Sequence, residues 1–148
     1  MASRVTMDVT QGATTTTVFS SVDPKVRSVK ETLSLSEFTD GAGASGTVAM
    51  TNALPVGAQV LGVAVEVIDA CASATSATLD VGDGSDADRF GDAVDVTSEG
   101  LAVGVAAGTN LVSTAVAPTV TLTDATGAGA DFGNIASFHA VVEVIYVM

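Results

Sequence analysis

The chain has 148 residues, enough for one domain with a buried core of its own. Its 17 acidic and 5 basic residues give a net charge of −12, which argues against direct binding to nucleic acid or to an anionic membrane surface. Alanine, valine, threonine and glycine dominate, with 24, 24, 19 and 15 copies. Because branching at Cβ favours strands over helices, the abundant valine and threonine predict an all-β fold and exclude a helical bundle.

The cysteine count and the distribution of apolar residues bear on where the chain folds. A single cysteine, Cys71, excludes a disulfide within the chain and fits folding in a reducing cytoplasm. The first ten residues lack the apolar core of a signal peptide. The most apolar run, residues 60–74, contains Glu66 and Asp69 and is too short and too charged to span a bilayer.

Residues 1–28 differ in composition from the rest of the chain. They contain four consecutive threonines at 14–17 and three of the five basic residues. We interpret them as an extended arm with one or two weak strands, the alternative being a flexible terminus. An arm of this kind can pair its basic groups with acidic groups of a partner and place its apolar groups in shallow grooves or along a sheet edge. The candidate contact residues are Arg4, Val5, Val9, Val18, Phe19, Lys25 and Arg27.

Residues 29–148 read as strands separated by glycine-rich turns. The strongest strand spans 60–69, with Leu61, Val63, Val65 and Val67 predicted on one face. Other predicted strands include 94–97, 101–107, 110–116, 120–123 and a long final strand at 135–147. About eight or nine strands at this spacing are typical of an antiparallel β-sandwich or a jelly-roll-like barrel.

The final strand is apolar on both faces. Phe138, Val142 and Val144 lie on one face, while Val141, Ile145 and Val147 lie on the other with His139 and Glu143. One face of an antiparallel sandwich normally meets water. Such a strand is therefore either central beneath a covering loop or part of a subunit interface.

Motifs for catalysis or cofactor binding are missing from the sequence. His139 is the only histidine and sits in a regular strand, with no Gly-x-Ser-x-Gly turn elsewhere in the chain. No phosphate-binding loop is present, and one Cys with one His cannot form a zinc site. The sequence predicts no enzyme activity, no metal and no cofactor.

The segment 80–95 carries six aspartates and two interpretations compete for it. Dense carboxylates can bind calcium, but the spacing differs from an EF-hand loop and no glutamate closes it. Alternatively, Asp83, Asp86 and Asp88 surround Arg89 and fix the loop, since a guanidinium bridges carboxylates. We favour this structural loop. A carbohydrate-binding module is disfavoured because the chain has no Trp and one Tyr.

Several segments resemble a module found in virion proteins of tailed bacteriophages. They are VRSVKETLSLSEFTDGAGASGTVAMTNALP (26–55), LPVGAQVLGVAVEVIDA (54–70), SATLDVGDGSDADRFG (76–91) and TVTLTDATGAGADFGNIASFHAVVEVIY (119–146). The second and third are similar to the strand and the following GDG.D.DRFG loop of that module. The similarity covers roughly residues 26–147, and the opening segment, 26–55, is similar to phage proteins placed among capsid decoration, or cement, candidates.

This resemblance implies a small β-sandwich that is made in the host bacterial cytoplasm, forms a homotrimer and binds the major capsid protein on the outer surface of the mature head. The expected trimer interface is the second face of the last strand, at Val141, Ile145 and Val147. Related modules also occur in head spikes, fibre bases and head–tail connectors, so these remain the alternative. The resemblance implies no catalytic residues.

Overall fold

A computed structural model describes residues 4–10, 14–20, 25–72, 74–106 and 110–148. The first two strands, β1 (Arg4–Thr10) and β2 (Thr14–Ser20), pair with each other as an antiparallel hairpin, of which the backbone is described. Five predicted arm contacts fall on this hairpin, and their side chains lie outside the described residues: Arg4, Val5, Val9, Val18 and Phe19.

Nine further strands form two antiparallel sheets in the described part of the chain. They are β3 (Val26–Ser34), β4 (Thr39–Asp40), β5 (Ser45–Ala49), β6 (Gln59–Ala72), β7 (Ala77–Gly82), β8 (Gly91–Asp95), β9 (Gly100–Gly104), β10 (Thr119–Asp124) and β11 (Ser137–Val147). One sheet has the order β3-β11-β6-β9 and the other has the order β4-β5-β10-β7-β8. The predicted all-β, antiparallel sandwich is confirmed.

The core lies between the two sheets and follows from alternation along the strands. On β11 every second side chain, from Phe138 to Tyr146, is buried. Val120 and Leu122 of β10, in the opposite sheet, are also buried and point into the same core. The buried side chains of both sheets form one hydrophobic cluster, as period-two burial from two facing sheets requires.

The four-stranded sheet begins earlier in the chain than the sequence suggests. The predicted boundary between arm and sandwich is at residues 28 and 29, but β3 starts at Val26 and pairs Arg27 with Tyr146 of β11. The Lys25 N–H donates to the Met148 carbonyl at 3.3 Å. Lys25 and Arg27 therefore lie at the edge of the sandwich.

The predicted buried face of β6 is wrong at one residue. Ile145 and Tyr146 of β11 pair with Gly62 and Val60, so Leu61 is an extra residue in a β-bulge. The bulge reverses the alternation, which buries Val60 and leaves Leu61 51% exposed.

The predicted strand at 110–116 is not formed as a strand. Leu111 and Val116 make only isolated bridges, to Gln59 and Leu54. Its backbone instead bonds to the turn around 54–58; for example, the Gly57 N–H donates to the Val112 carbonyl at 2.8 Å. Because residues 54–58 form a turn and not a strand, the strand pairing cannot continue along residues 110–116. This segment therefore packs against the sandwich as a loop.

Candidate interaction surfaces

The outer face of the four-stranded sheet carries the three residues of the predicted trimer interface. Val141, Ile145 and Val147 point away from the core, between β3 and β6, and are each half-buried by neighbouring strands. No segment of the described chain covers them as a layer of the sandwich. The structure thus brings these residues together on one open surface.

The same face continues onto edge strand β9, where the apolar residues are far more exposed. Leu101 and Val103 of β9 are 74% and 69% exposed, and Val105, just after the strand, is 73% exposed. Leu101 lies opposite Glu66, and Val103 lies opposite Ala64, on the neighbouring strand β6. Sequence analysis predicted a strand here but missed the surface, although the alternation of large residues with Ala102 and Gly104 carried the signal.

A close approach between the sheets fixes the position of β9. Its Gly104 faces Gly91 of β8, in the other sheet, and a Cβ on Gly104 would lie 2.7 Å from Val94 Cγ2 and 3.3 Å from Gly91 Cα. Only glycine fits there. The buried glycine side of β9 therefore packs against β8 while its large residues face outward.

The acidic loop between β7 and β8 is organised around one ion pair. Arg89 Nη1 donates to Asp83 Oδ2, and Nη2 donates to the Leu111 carbonyl at 2.7 Å. The other oxygen of Asp83 accepts the N–H groups of Ser85 and Asp86, both at 3.0 Å. The Arg89 guanidinium also lies 5.5 Å from the ring centre of Phe90. Arg89 thus ties the loop to itself and to the segment around Leu111.

Asp86 and Asp88, which the sequence also placed around Arg89, lie near each other in this loop. Hydrogen bonding with the Asp88 side chain raises the pKa of Asp86. Burial alone would raise the pKa of Asp83, but hydrogen bonds from Arg89 and from the loop backbone outweigh it and lower that pKa. Asp83 is therefore held ionised as the partner of Arg89. Across the described residues, no three His, Cys, Asp or Glu side chains converge as a metal site.

A second carboxylate organises the loop that precedes β11, and sequence analysis did not single it out. Asp124 is nearly fully buried, and its carboxylate accepts bonds from the Thr126 hydroxyl, the Thr126 N–H at 3.0 Å and the Asp131 N–H at 3.2 Å. The bonds from Thr126 are the main reason that the pKa of Asp124 is lowered. An aspartate two residues before a threonine, at the start of a glycine loop, was the available signal.

His139 has polar neighbours without the contacts of a catalytic triad. Strand register places Ser34 and Asp69 opposite it. The Ser34 hydroxyl, however, bonds to Glu37 Oε2 at 2.9 Å, and in the described part of the chain no side-chain hydrogen bond joins His139 to either neighbour. Cys71 is buried, and burial raises its thiol pKa to about 11. A nucleophilic cysteine has a lowered pKa, whereas burial raises the pKa of Cys71.

No helix among the described residues has the length and apolarity that crossing a membrane requires.

Among solved structures, a chain of a phage capsid is similar to this chain. No family model and no curated protein matches the chain. The chain is similar to a chain in the structure described as the cyanophage Pam1 capsid asymmetric unit, with a TM-score of 0.57 and 27% sequence identity. The match covers 84% of this chain and 86% of that chain, so the two chains are similar in length and match over most of it.

Proposed function

We propose that this chain is a structural protein of a tailed-phage virion, and that it decorates the outer surface of the mature capsid rather than catalysing a reaction. The observation that carries the proposal is the similarity to a chain of the cyanophage Pam1 capsid asymmetric unit. That similarity is consistent with a phage capsid-associated protein. The more specific role in decorating the capsid surface is our proposal and goes beyond this similarity.

Two features of that similarity favour decoration over the alternatives. An asymmetric unit is the part that symmetry repeats over the whole capsid, whereas a head–tail connector or a spike occupies special positions. The match also spans most of both chains, so it is not a similarity to one domain of a much larger subunit. Both features favour a small protein present in many copies.

The surface chemistry supports an assembly of several copies, which we propose is a homotrimer. Val141, Ile145 and Val147 form the apolar centre of the outer sheet face. Burying apolar area contributes roughly 25 cal/mol per Å², which must exceed the cost of association. We assign this face to the trimer interface, directed toward the threefold axis.

Attachment to the shell is assigned to the N-terminal hairpin. Its strands are extended backbone that can lie along a neighbouring subunit or add to a sheet edge. Three hairpins per trimer would bind with avidity, because each later contact is intramolecular.

The test measures binding to mature, expanded shells that lack this protein. We expect purified full-length chain to co-sediment with such shells and to saturate at a copy number comparable to that of the shell protein, counted by quantitative mass spectrometry. Unexpanded shells are the matched control and should bind far less. Saturation at a few copies per particle would instead assign the chain to a spike, fibre base or connector.

A further inference from the structure

We propose that copies of this chain assemble head to tail, with the basic β3 edge of one copy against the apolar and acidic β9 edge of the next. This inference rests on the homotrimer of the proposed function and names the surfaces that close it. A threefold ring requires each subunit to use two different surfaces, one for each neighbour. The two edges of the four-stranded sheet differ in chemistry and flank the face assigned to the axis.

The β3 edge is the basic side of the sandwich. Lys25, Arg27 and Lys30 are all exposed along this strand and at its start, and they are three of only five basic residues in the chain. Val26 lies between them with 67% of its surface exposed. These three positive charges lie on one edge strand of a chain with net charge −12, with Glu31 next to Lys30 on the strand and Glu143 of β11 opposite Lys30, so this edge carries a net positive charge.

The β9 edge offers the opposite chemistry. Leu101 and Val103 of β9, and Val105 just after the strand, are the large exposed apolar side chains described above. Glu66 lies directly opposite Leu101, and Glu99 immediately precedes the strand; both are exposed. In the described chain β9 pairs only with β6, which leaves the backbone groups of its other side available to a partner.

Charge decides between head-to-tail and symmetric contacts. A symmetric β3–β3 contact would bring lysines and arginines together, and a symmetric β9–β9 contact would bring glutamates together. Like charges across an interface repel each other and weaken association, whereas complementary edges attract. The head-to-tail contact also removes Leu101, Val103 and Val105 from water, and it turns the outer sheet face of each copy toward the axis.

The test places one cysteine at each edge of the full-length chain. Ser28 and Val103 lie on the outer face at β3 and β9 and are exposed. A Ser28→Cys, Val103→Cys variant treated with a short bis-maleimide should give covalent dimers and trimers on a denaturing gel. The single variants are the matched controls and should remain monomers. The native chain controls for Cys71, which is only 4% exposed.

The possible outcomes separate this inference from the proposed function. Cross-linked dimers from either single variant would show a symmetric contact and overturn the head-to-tail arrangement. A trimer by light scattering with no cross-links in the double variant would also overturn it, while leaving the homotrimer intact. A monomer at micromolar concentration would overturn both.

Charge reversal provides a second readout. Lys30→Glu should raise the concentration of half-dissociation about tenfold or more, because it places like charges at every contact. Adding Glu66→Lys in the same chain should restore the trimer. An unchanged trimer in the Lys30→Glu variant, or no rescue by the second change, would contradict the pairing of these edges.

Discussion

Arg89 links the acidic loop to a neighbouring segment of the chain. It joins Asp83, the Leu111 carbonyl and the ring of Phe90, and its own side chain is 21% exposed. We expect Arg89→Ala to lower the free energy of unfolding by about 2 kcal/mol, because Asp83 loses its charged partner. Urea unfolding followed by circular dichroism measures this change.

Two controls separate the ion pair from other effects of this substitution. Arg89→Lys keeps the charge but loses the planar fork, so its destabilisation should be intermediate. Calcium should change the melting temperature of the native chain little. A large rise in melting temperature that a chelator reverses would show instead that the loop binds calcium.

The aspartates with shifted pKa values predict how stability depends on pH. The folded-state pKa of Asp124 is lowered, so its stabilising effect is complete above the ordinary value of 3.8 and is lost as the pH falls through the folded value. We expect Asp124→Asn to unfold more easily at neutral pH but to lose less stability between neutral pH and about 2.5. Urea midpoints across this range measure the slope.

Asp86→Asn is the control, because the pKa of Asp86 is shifted in the opposite direction to that of Asp124. The folded-state pKa of Asp86 is raised by its hydrogen bond with Asp88, so protonation of Asp86 favours the folded state. Removing this group should make the loss of stability on acidification steeper. Equal slopes in both variants would contradict the assigned directions.

At the scale of elements, alternation of apolar residues predicted most strands but could not reveal register. The final strand and its two faces follow directly from the sequence, because a regular strand has a period of two. Leu61 was assigned to the wrong face because a bulge depends on pairing with β11, a strand distant in sequence. The segment 110–116 was misread because its backbone bonds to the turn around 54–58 rather than to a regular strand.

Phe132 packs on a glycine of β5, and this contact joins the loop before β11 to the sandwich. A Cβ at Gly46 would lie 2.5 Å from Phe132 Cζ, whereas a Cβ at Gly43 would meet nothing within 4 Å. The ring is itself held against Phe38, with centroids 6.2 Å apart. We expect Gly46→Ala to destabilise the fold by about 1–3 kcal/mol through overpacking.

Gly43→Ala is the matched control, three residues away in the same region, and should leave the thermal midpoint nearly unchanged. Both variants can be compared by calorimetry under identical conditions. Equal midpoints would show that Phe132 moves aside freely, and would remove its role in fixing the loop.

At the scale of the whole molecule, the sequence predicted the interaction surfaces only in part. The apolar second face of β11 was visible as a pattern within one strand. The alternation at 101–104 predicts a strand face there, but the position of β9 and of basic β3 at the edges of the sheet depends on topology. Edge position is a property of topology, and no local pattern in Lys25, Lys30 or Leu101 reports it.

The last prediction concerns the N-terminal hairpin. Since β3 begins at Val26, a truncation that starts at Lys25 retains every strand of both sheets. We expect this variant to remain a folded trimer with an unchanged β-type spectrum, because among the side chains that the structure describes the core cluster begins at Val29. We also expect it to lose most of its binding to expanded shells, since the hairpins supply the contacts that act together.

Two outcomes would change this assignment, and both are visible in the same pair of measurements. Full shell binding by the truncated chain would place the capsid contact on the sandwich itself. Loss of the trimer on light scattering would show instead that the hairpin holds neighbouring subunits together. The basic β3 edge remains in the truncated chain, so retained trimer with lost shell binding assigns the subunit contact to the sheet edges and the shell contact to the hairpin.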